Sequence, residues 1–195
     1  LAIKGTIDGI FRNQGEVCLA GSRLLVQREI YDEFLERYVA AAEALVVGDP
    51  REPETQIGPL VSTEHLEKVL SYIEIGQAEG GKLMTGGHRV TDGDLALGNY
   101  VAPTVFADVD NSWRIAQEEI FGPVQVVVPF DTLDEAIELA NANRYGLAGM
   151  IWTTNLNTAH RVAREVRTGT MWVNCFFIRD LRAPCGGMKD SGIGR

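Results

Sequence analysis

The second half of the chain alternates short, almost continuously apolar segments with segments of helical periodicity. The apolar segments are residues 124–130, 147–154 and 170–175. A strand that is apolar along its whole length is buried on both faces, and strands that are connected through helices run parallel. The sequence therefore predicts an α/β fold, a mainly parallel twisted sheet with helices on both faces.

Helical periodicity is also present in the first half. Apolar side chains recur every three to four residues over 34–46, which predicts an amphipathic helix, and the same spacing predicts a short helix over 5–14. Ser62 or Thr63 is suited to cap the helix that follows, because a side-chain oxygen can accept from a free amide of the first turn.

One further helix is predicted between the apolar segments. Thr132 stands three residues before Glu135, which is the spacing of a capping box. No internal repeat, low-complexity tract or linker interrupts this pattern, so we expect residues 1–195 to form a single α/β domain.

Charge and hydropathy narrow the possible partners. The chain has 27 acidic and 18 basic residues, a net charge of −9, which disfavours a nucleic-acid partner because phosphate binding needs a basic face. No run is long and apolar enough to span a bilayer, so no membrane partner is expected. The chain begins at Leu1 and stops in a Gly-rich stretch, and we expect it to be a piece of a longer protein.

The cysteines and histidines bear on the compartment and on metal binding. The residues are Cys18, Cys175, Cys185, His65, His88 and His160. An odd number of cysteines without a closely spaced pair argues against a disulfide framework, and we expect a cytoplasmic protein. The histidines lie far apart without metal-ligand spacing, so no metal site is expected.

Cys18 is the first candidate for chemistry. It lies between a predicted helix and a predicted strand, with Gly15 and Gly21 nearby, so a substrate can approach the backbone closely. The Cys18 amide is placed to donate to an oxyanion. Two interpretations are open from these residues, a catalytic thiol and a small buried side chain.

Two further segments carry polar side chains beside predicted strands. Glu118 and Glu119 precede the strand at 124, and they are either a site for paired hydroxyls such as those of a ribose or a solvated acidic pair. Arg179 and Arg182 follow the last strand, where ligands collect in open α/β sheets, and they are either an anion site or a surface cluster with Asp180.

Taken together, these segments resemble the aldehyde dehydrogenase superfamily. NQGEVCLAGSR is similar to the cysteine active-site signature of that family, and EEIFGPV, YGLAG and WVNC…P-x-GG-x-K-x-SG-x-GR follow in family order. The resemblance runs the full length of the chain. It implies the catalytic domain of an enzyme that oxidises an aldehyde with NAD, with NADP as the alternative.

The resemblance assigns roles to individual residues. Cys18 matches the nucleophile, Glu119 the residue that hydrogen-bonds the nicotinamide ribose, and Phe121 the aromatic beside the nicotinamide. Cys175 matches no catalytic position and is interpreted as core packing. Cys185 stands where the family usually has phenylalanine, which either widens the pocket or adds a second thiol.

The resemblance also implies what lies elsewhere. The general-base glutamate, the side-chain oxyanion amide and a dinucleotide-binding lysine of the family precede the cysteine signature, so we expect that this chain alone does not oxidise aldehydes. The family commonly forms homo-oligomers, partly through a C-terminal strand that this sequence lacks.

The segment IRDLRAP is similar to the branch of the family that oxidises muconic semialdehydes, which carry a carboxylate. A guanidinium binds a carboxylate through paired hydrogen bonds. Arg179 is therefore expected to bind the substrate carboxylate, and Arg182 is a weaker second candidate. Two other functions stay open: a thiol hydrolase that uses Cys18 with a histidine, and a non-catalytic binding module.

Overall fold

The apolar segment 124–130 is a central strand of a four-stranded sheet. The computed structural model describes residues 1–194. Its strands are β1 (Arg23–Gln27), β2 (Lys82–Thr85), β3 (Thr104–Ala107), β4 (Val124–Phe130), β5 (Tyr145–Gly146), β6 (Ala148–Ile151), β7 (Thr170–Val173) and β8 (Met188–Lys189). Its α-helices are α1 (Ala2–Phe11), α2 (Tyr31–Glu43), α3 (Thr63–Ala78), α4 (Arg114–Gln117), α5 (Leu133–Asn141) and α6 (Leu156–Glu165).

The main sheet has the order β1-β4-β3-β2, with β4 parallel to both of its neighbours and only β2 antiparallel. The strands β6 and β7 pair in parallel with each other, and β5 pairs antiparallel with β8. The predicted class, a mainly parallel α/β fold, is confirmed. The later apolar segments nevertheless form ladders separate from β4 within residues 1–194, which the sequence pattern did not indicate.

Side chains of β4 alternate between two hydrophobic clusters. Val126 belongs to the cluster that contains residues of α3 and α4, and Val127 belongs to the one that contains residues of α1 and α2. Helices therefore cover both faces of the main sheet, as predicted. Full burial stabilises each such valine by about 1.5–3 kcal/mol relative to an exposed one, so both faces contribute to the fold.

Capping residues begin the helices where the sequence indicated. Ser62 is the cap of α3, since its hydroxyl oxygen accepts from the His65 amide at 3.2 Å. The Thr132 hydroxyl oxygen accepts from the Glu135 amide at 3.2 Å at the start of α5. The Glu135 carboxylate in turn accepts from the Asp131 amide at 2.7 Å, so each side chain satisfies an amide at the other end of the turn.

The predicted helix over 5–14 is wrong at its end. α1 stops at Phe11, and a 3₁₀ turn over Arg12–Gly15 follows. Asn13 and Gln14 have φ of 51° and 47°, which the α-helix does not allow. The chain therefore turns away from the helix axis before it reaches Cys18. In residues 1–194 no helix combines the length and the apolar character needed to cross a membrane.

Candidate active site

Cys18 lies on the surface, in a turn between the 3₁₀ segment and β1. The turn is held from both sides. The Ala20 amide donates to the Val17 carbonyl at 2.9 Å, and the Gly21 amide donates to the Gly9 carbonyl of α1 at 2.9 Å. Leu19, the next residue along the chain, is buried. An exposed thiol on a fixed turn is accessible to an electrophile.

The backbone amide of Cys18 has no hydrogen-bond acceptor among the described residues. An amide beside a nucleophile that has no acceptor within the protein is available to an oxyanion.

The loop before Cys18 touches the loop that contains Glu119 and Phe121. Gly15 is buried, with φ of 77°, and a Cβ at this position would lie 2.1 Å from the Gly122 carbonyl oxygen. Only glycine permits both this φ and this approach. The two predicted candidate loops are therefore neighbours in the structure, although about a hundred residues of sequence separate them.

His65 connects the same two loops through its side chain. Its Nε2 lies 2.6 Å from the Phe121 carbonyl oxygen and 3.5 Å from a carboxylate oxygen of Glu16. A carbonyl oxygen only accepts, so the short contact requires Nε2 to carry a proton and to donate. Both side chains are largely buried, with 14% of the His65 and 7% of the Glu16 side chain exposed.

Glu16 is held by more than His65. Its carboxylate accepts from the Val61 amide at 3.2 Å and from the Gln14 side-chain amide at 2.6 Å. The loop between α1 and Cys18 is thus connected to the start of α3 and, through His65, to Phe121.

The two acidic residues before β4 have different surroundings. Glu118 accepts from the Arg114 guanidinium at 2.9 Å and from the Tyr72 hydroxyl at 2.7 Å. Hydrogen bonds from Arg114 and then Tyr72 lower the pKa of Glu118 from 4.5 to about 2. Glu118 is therefore part of a surface ion pair, and the interpretation of both acids as a binding pair does not apply to it.

Glu119 is exposed, and within residues 1–194 its carboxylate has no hydrogen-bond donor, so it is accessible to a ligand with paired hydroxyls. Its backbone is fixed, because the Lys68 ammonium group donates to the Glu119 carbonyl at 3.0 Å. Phe121 has φ of 62°, and its ring packs edge-on against His65 with 6.1 Å between ring centroids. Glu119 and Phe121 thus lie on a short loop with a fixed backbone.

Arg179 and Arg182 are both exposed but differ in their partners. Arg182 forms a salt bridge with Asp180 at 2.6 Å, and the side-chain hydrogen bond to Asp180 raises the pKa of Arg182. The surface-cluster interpretation therefore describes Arg182. The Arg179 guanidinium instead stacks over the Phe177 ring, 4.1 Å from its centroid, and has no ion pair among the described residues.

The remaining thiols differ in exposure. Cys175 is half-buried beside β7, so it packs less deeply than the predicted core position. Cys185 is exposed, like Cys18, and exposure alone does not distinguish these two thiols. The ring nitrogens of His65 and His88 lie against the carbonyls of Phe121 and Gly86 and form no hydrogen bond with Cys18 among the described residues, so neither is placed as the base that the thiol-hydrolase alternative needs.

The arginine that ends the NQGEVCLAGSR segment has a structural role. Arg23 donates to the side-chain oxygen of Asn111 at 2.8 Å and to the carbonyls of Leu139 and Ala140 at 2.9 and 3.0 Å. Burial lowers the pKa of Arg23. These carbonyls belong to the last turn of α5, where a cation also faces the negative end of the helix dipole.

Lys189, which belongs to the C-terminal motif, is a second cation at the same end of α5. The Lys189 ammonium group donates to the carbonyls of Asn141 and Asn143 at 3.0 and 2.7 Å. Desolvation, and then the charges of Arg167 and Arg23, lower the pKa of Lys189. Arg195, the last residue of this motif, lies outside the described residues.

Sequence reasoning missed Glu16 and His65. Glu16 lies inside the cysteine signature, and that position could have indicated a role. Its partner His65, however, is 49 positions further along the chain. His65 follows the cap of α3 by three residues, and only the tertiary contact with Phe121 reveals its role. Within residues 1–194 no group of three His, Cys, Asp or Glu side chains is arranged to hold a metal ion.

Comparison with known proteins shows the family of the chain. The family model described as the aldehyde dehydrogenase family matches residues 1–195. The chain is 48% identical over 195 residues to 2-hydroxymuconic semialdehyde dehydrogenase of Pseudomonas sp. (strain CF600), covering all of the chain and 40% of that protein. It is 46% identical over 194 residues to betaine aldehyde dehydrogenase of Cereibacter sphaeroides (strain ATCC 17025), covering all of the chain and 39% of that protein.

Solved structures give the same result. The NAD+ complex of an aldehyde dehydrogenase from Bacillus cereus superposes with a TM-score of 0.95 at 46% identity, covering 100% of this chain and 39% of that one. The chain thus belongs to the aldehyde dehydrogenase family. It spans about 40% of the length of the curated relatives it matches.

Proposed function

We propose that Cys18 is the nucleophile of an NAD(P)-dependent oxidation of an aldehyde to a carboxylate, and that residues 1–195 form a catalytic domain of the enzyme that performs it. The observation that carries this proposal is the contact between two loops. The exposed thiol of Cys18 follows a loop that contacts the segment of Glu119 and Phe121. The contacts are the close approach at Gly15 and the hydrogen bond of His65. A nucleophile and a nucleotide-binding segment must be neighbours if both act on the same carbon.

The proposed reaction has three steps: addition of the thiolate, loss of a hydride and hydrolysis. The Cys18 thiolate adds to the aldehyde carbon and forms a thiohemiacetal, whose oxygen carries the negative charge. The carbon would then give up one hydride, which is a proton with two electrons, to an oxidised nicotinamide dinucleotide as the acceptor, and become a thioester. Water hydrolyses the thioester to the carboxylate and returns the thiol, with a general base accepting the proton of the water.

The free amide of Cys18 supports a role in the first step. No hydrogen bond within the described residues has to be broken before this amide donates to the oxygen that becomes negative. Such preorganised donors stabilise an oxyanion by about 2.7–4 kcal/mol each.

The nucleotide site is proposed on Glu119 and Phe121. The unpaired carboxylate of Glu119 can accept from both hydroxyls of a ribose, and the half-buried Phe121 ring offers an apolar surface to a planar ring. The dinucleotide, when bound, supplies the hydride acceptor. NAD is the proposed cofactor, and an NAD+ complex among the similar structures supports it; NADP is the alternative.

The proposed substrate is an aldehyde that carries a carboxylate. The Arg179 guanidinium is exposed and unpaired within the described residues, so it can bind a carboxylate through two parallel hydrogen bonds. The likeness to a protein named 2-hydroxymuconic semialdehyde dehydrogenase supports this class. Arg182 is left out of the proposal because Asp180 already binds its guanidinium.

Replacement of the two exposed thiols tests the proposal. In the protein that carries this chain, C18A is expected to abolish aldehyde-dependent NADH formation, while C185A serves as the exposed-thiol control. Alkylation with iodoacetamide, followed by peptide mass analysis, should locate the inactivating modification on Cys18. NADH formation that survives in C18A would overturn the assignment of the nucleophile.

A further inference from the structure

We infer that Gln125 is a positioning residue of the reaction: its side chain holds the Gly21 carbonyl, and through it the turn that presents the thiol and the free amide of Cys18. This inference rests on the proposed function and deepens it, because it assigns the geometry of the proposed nucleophile to a buried side chain of the main sheet.

Gln125 is a polar residue in a strand that is otherwise apolar. It is the second residue of β4, whose other residues are all apolar. Only 1% of Gln125 is exposed, so its amide does not exchange hydrogen bonds with water. A buried amide is costly unless both of its ends have partners, and both ends of this one have them. The position therefore makes polar contacts that an apolar side chain could not make.

The two hydrogen bonds of Gln125 fix the orientation of its amide. The Tyr38 hydroxyl donates to Oε1, and Nε2 donates to the Gly21 carbonyl oxygen at 2.5 Å. A carbonyl oxygen only accepts, so the nitrogen must face Gly21 and the oxygen must face Tyr38. Burial raises the pKa of Tyr38, so this hydroxyl keeps the proton that it donates. Tyr38 on α2 thus orients the group that reaches the cysteine turn.

Gly21 closes the turn that contains Cys18. The Gly21 amide donates to the Gly9 carbonyl of α1, and the Ala20 amide donates to the Val17 carbonyl, each at 2.9 Å. The amide of Cys18 itself has no acceptor among the described residues. The position of the thiol therefore depends on the hydrogen bonds of its neighbours in the turn.

The bond from Gln125 is the only side-chain hydrogen bond to residues 17–21 within the described part of the chain. The Gly21 peptide is also closely packed, because a Cβ there would lie 2.5 Å from the terminal methyl carbon of Met150. Loss of the Gln125 donor therefore removes the one side-chain hydrogen bond that restrains the turn of Cys18.

Small displacements of a nucleophile have large effects on its reaction. The thiol has to reach the carbonyl carbon while the Cys18 amide faces the oxygen, and a displacement of about 1 Å can lower the rate about 100-fold. A glutamine that served only stability would change the amount of folded protein and leave the rate of the folded enzyme unchanged. The two roles are therefore separable by measurement.

Q125M removes both polar ends of the side chain at nearly the same length. In the protein that carries this chain, saturated with NAD and adipic semialdehyde, we expect the rate constant of the first turnover to fall by about 10- to 100-fold. Stopped-flow detection of NADH measures this rate constant. The KM for NAD should stay unchanged, because Gln125 forms no side-chain hydrogen bond with the proposed nucleotide segment among the described residues.

T104V is the matched control for loss of a buried polar group. Thr104 is fully buried on β3, and its hydroxyl oxygen accepts from the Gly87 amide at 2.9 Å and donates to the Ala102 carbonyl at 2.8 Å. Neither partner belongs to the cysteine turn. T104V should therefore lower the midpoint of urea unfolding and keep the rate constant of the first turnover.

The double variant Y38F/Q125M separates positioning from stability. Replacing both partners of a buried hydrogen bond by apolar groups is nearly neutral, so its urea midpoint should recover part of what Q125M loses. The Gly21 carbonyl still lacks its donor, so the rate constant should stay low. Y38F alone keeps the bond to Gly21 and should lose less of the rate than Q125M does.

The outcomes separate this inference from the proposed function. An unchanged rate constant in Q125M, an equal fall in T104V, or a rate constant that recovers with the urea midpoint in Y38F/Q125M would each overturn the role of Gln125. The Cys18 assignment stands in all three cases, provided that C18A is inactive. An active C18A protein would remove the proposed function itself.

Discussion

The imidazole Nε2 of His65 donates to the Phe121 carbonyl oxygen across 2.6 Å, a contact between residues 56 positions apart in the chain. The same nitrogen lies 3.5 Å from Glu16 in the cysteine loop. One half-buried side chain thus sets the separation between the turn that carries the thiol and the segment that carries the proposed nucleotide ligands.

Replacement of His65 should loosen the proposed nucleotide segment. H65L removes the donor to Phe121, whose left-handed backbone then loses a fixed contact, and we expect the KM for NAD to rise about 5- to 10-fold, corresponding to about 1–1.5 kcal/mol. H65Q keeps an amide donor and should recover part of the loss. Steady-state kinetics with varied NAD checks this, and H88L provides a control at an exposed histidine. Equal KM values for H65L and the unsubstituted protein would contradict the expectation.

A methyl group at Gly15 should separate the two loops. G15A forces a Cβ to within 2.1 Å of the Gly122 carbonyl oxygen at a φ of 77°, and we expect the free energy of unfolding to fall by about 1–3 kcal/mol. G58A is the matched control, because the added Cβ there meets only ordinary contacts at 3.7 Å or more. Urea-induced unfolding of both variants gives the comparison. Similar stabilities of G15A and G58A would show that the loops do not depend on their close approach.

Tyr38 and Gln125 form a buried hydrogen bond that also supports the end of the cysteine loop. Gln125 accepts from the Tyr38 hydroxyl and donates to the Gly21 carbonyl at 2.5 Å. Y38F leaves the Gln125 oxygen without a donor, so we expect a loss of about 1–3 kcal/mol in the free energy of unfolding. Y145F, at an exposed tyrosine, should change it little.

The Tyr38 effect has a pH dependence with a defined sign. Burial raises the pKa of Tyr38 well above 10, so the folded state keeps its proton more tightly than the unfolded state does. The stability that Tyr38 provides is therefore fully present below pH 10 and is lost as the pH rises above it. The difference between Y38F and the unsubstituted protein should narrow in that range, and a difference that widens would contradict this.

Glu118 should contribute stability in the opposite pH direction. Hydrogen bonds from Arg114 and Tyr72 hold its pKa at about 2 in the folded state, below the ordinary 4.5. Its contribution is therefore present above pH 4.5 and is lost as the pH falls toward 2. The difference in Tm between E118Q and the unsubstituted protein should shrink over this interval. E67Q, at an exposed acid on α3 that forms no ion pair among the described residues, is the control variant.

Segments whose structure is determined mainly by their own residues were predicted well. β4 has the predicted bounds because a continuously apolar run is buried on both faces wherever it lies, and the caps Ser62 and Thr132 act within their own turn. The predicted strand 147–154 was too long. It ends at Ile151 because the Asn174 side chain binds the backbone of Thr153 at 2.8 and 2.9 Å and replaces the strand partner.

The candidate site was only partly accessible from the sequence. Cys18, Glu119 and Arg179 lie within recognisable segments, so residue type and order were sufficient to select them. His65 has no such marker, because its contacts are with Phe121 and Glu16, which only the fold brings near. Ion pairing also depends on the fold, so the sequence did not show that Glu118 is paired with Arg114 while Glu119 is not.

The convergence of Arg23 and Lys189 on the last turn of α5 changes how losses of activity should be understood. Arg23 lies in the cysteine segment and Lys189 in the C-terminal motif, and both donate to carbonyl oxygens at the C-terminal end of α5. Loss of activity on replacement of Arg23 would therefore be as consistent with a disrupted fold as with the loss of a catalytic group. The presence of a residue in a family motif does not by itself assign it a role in the reaction.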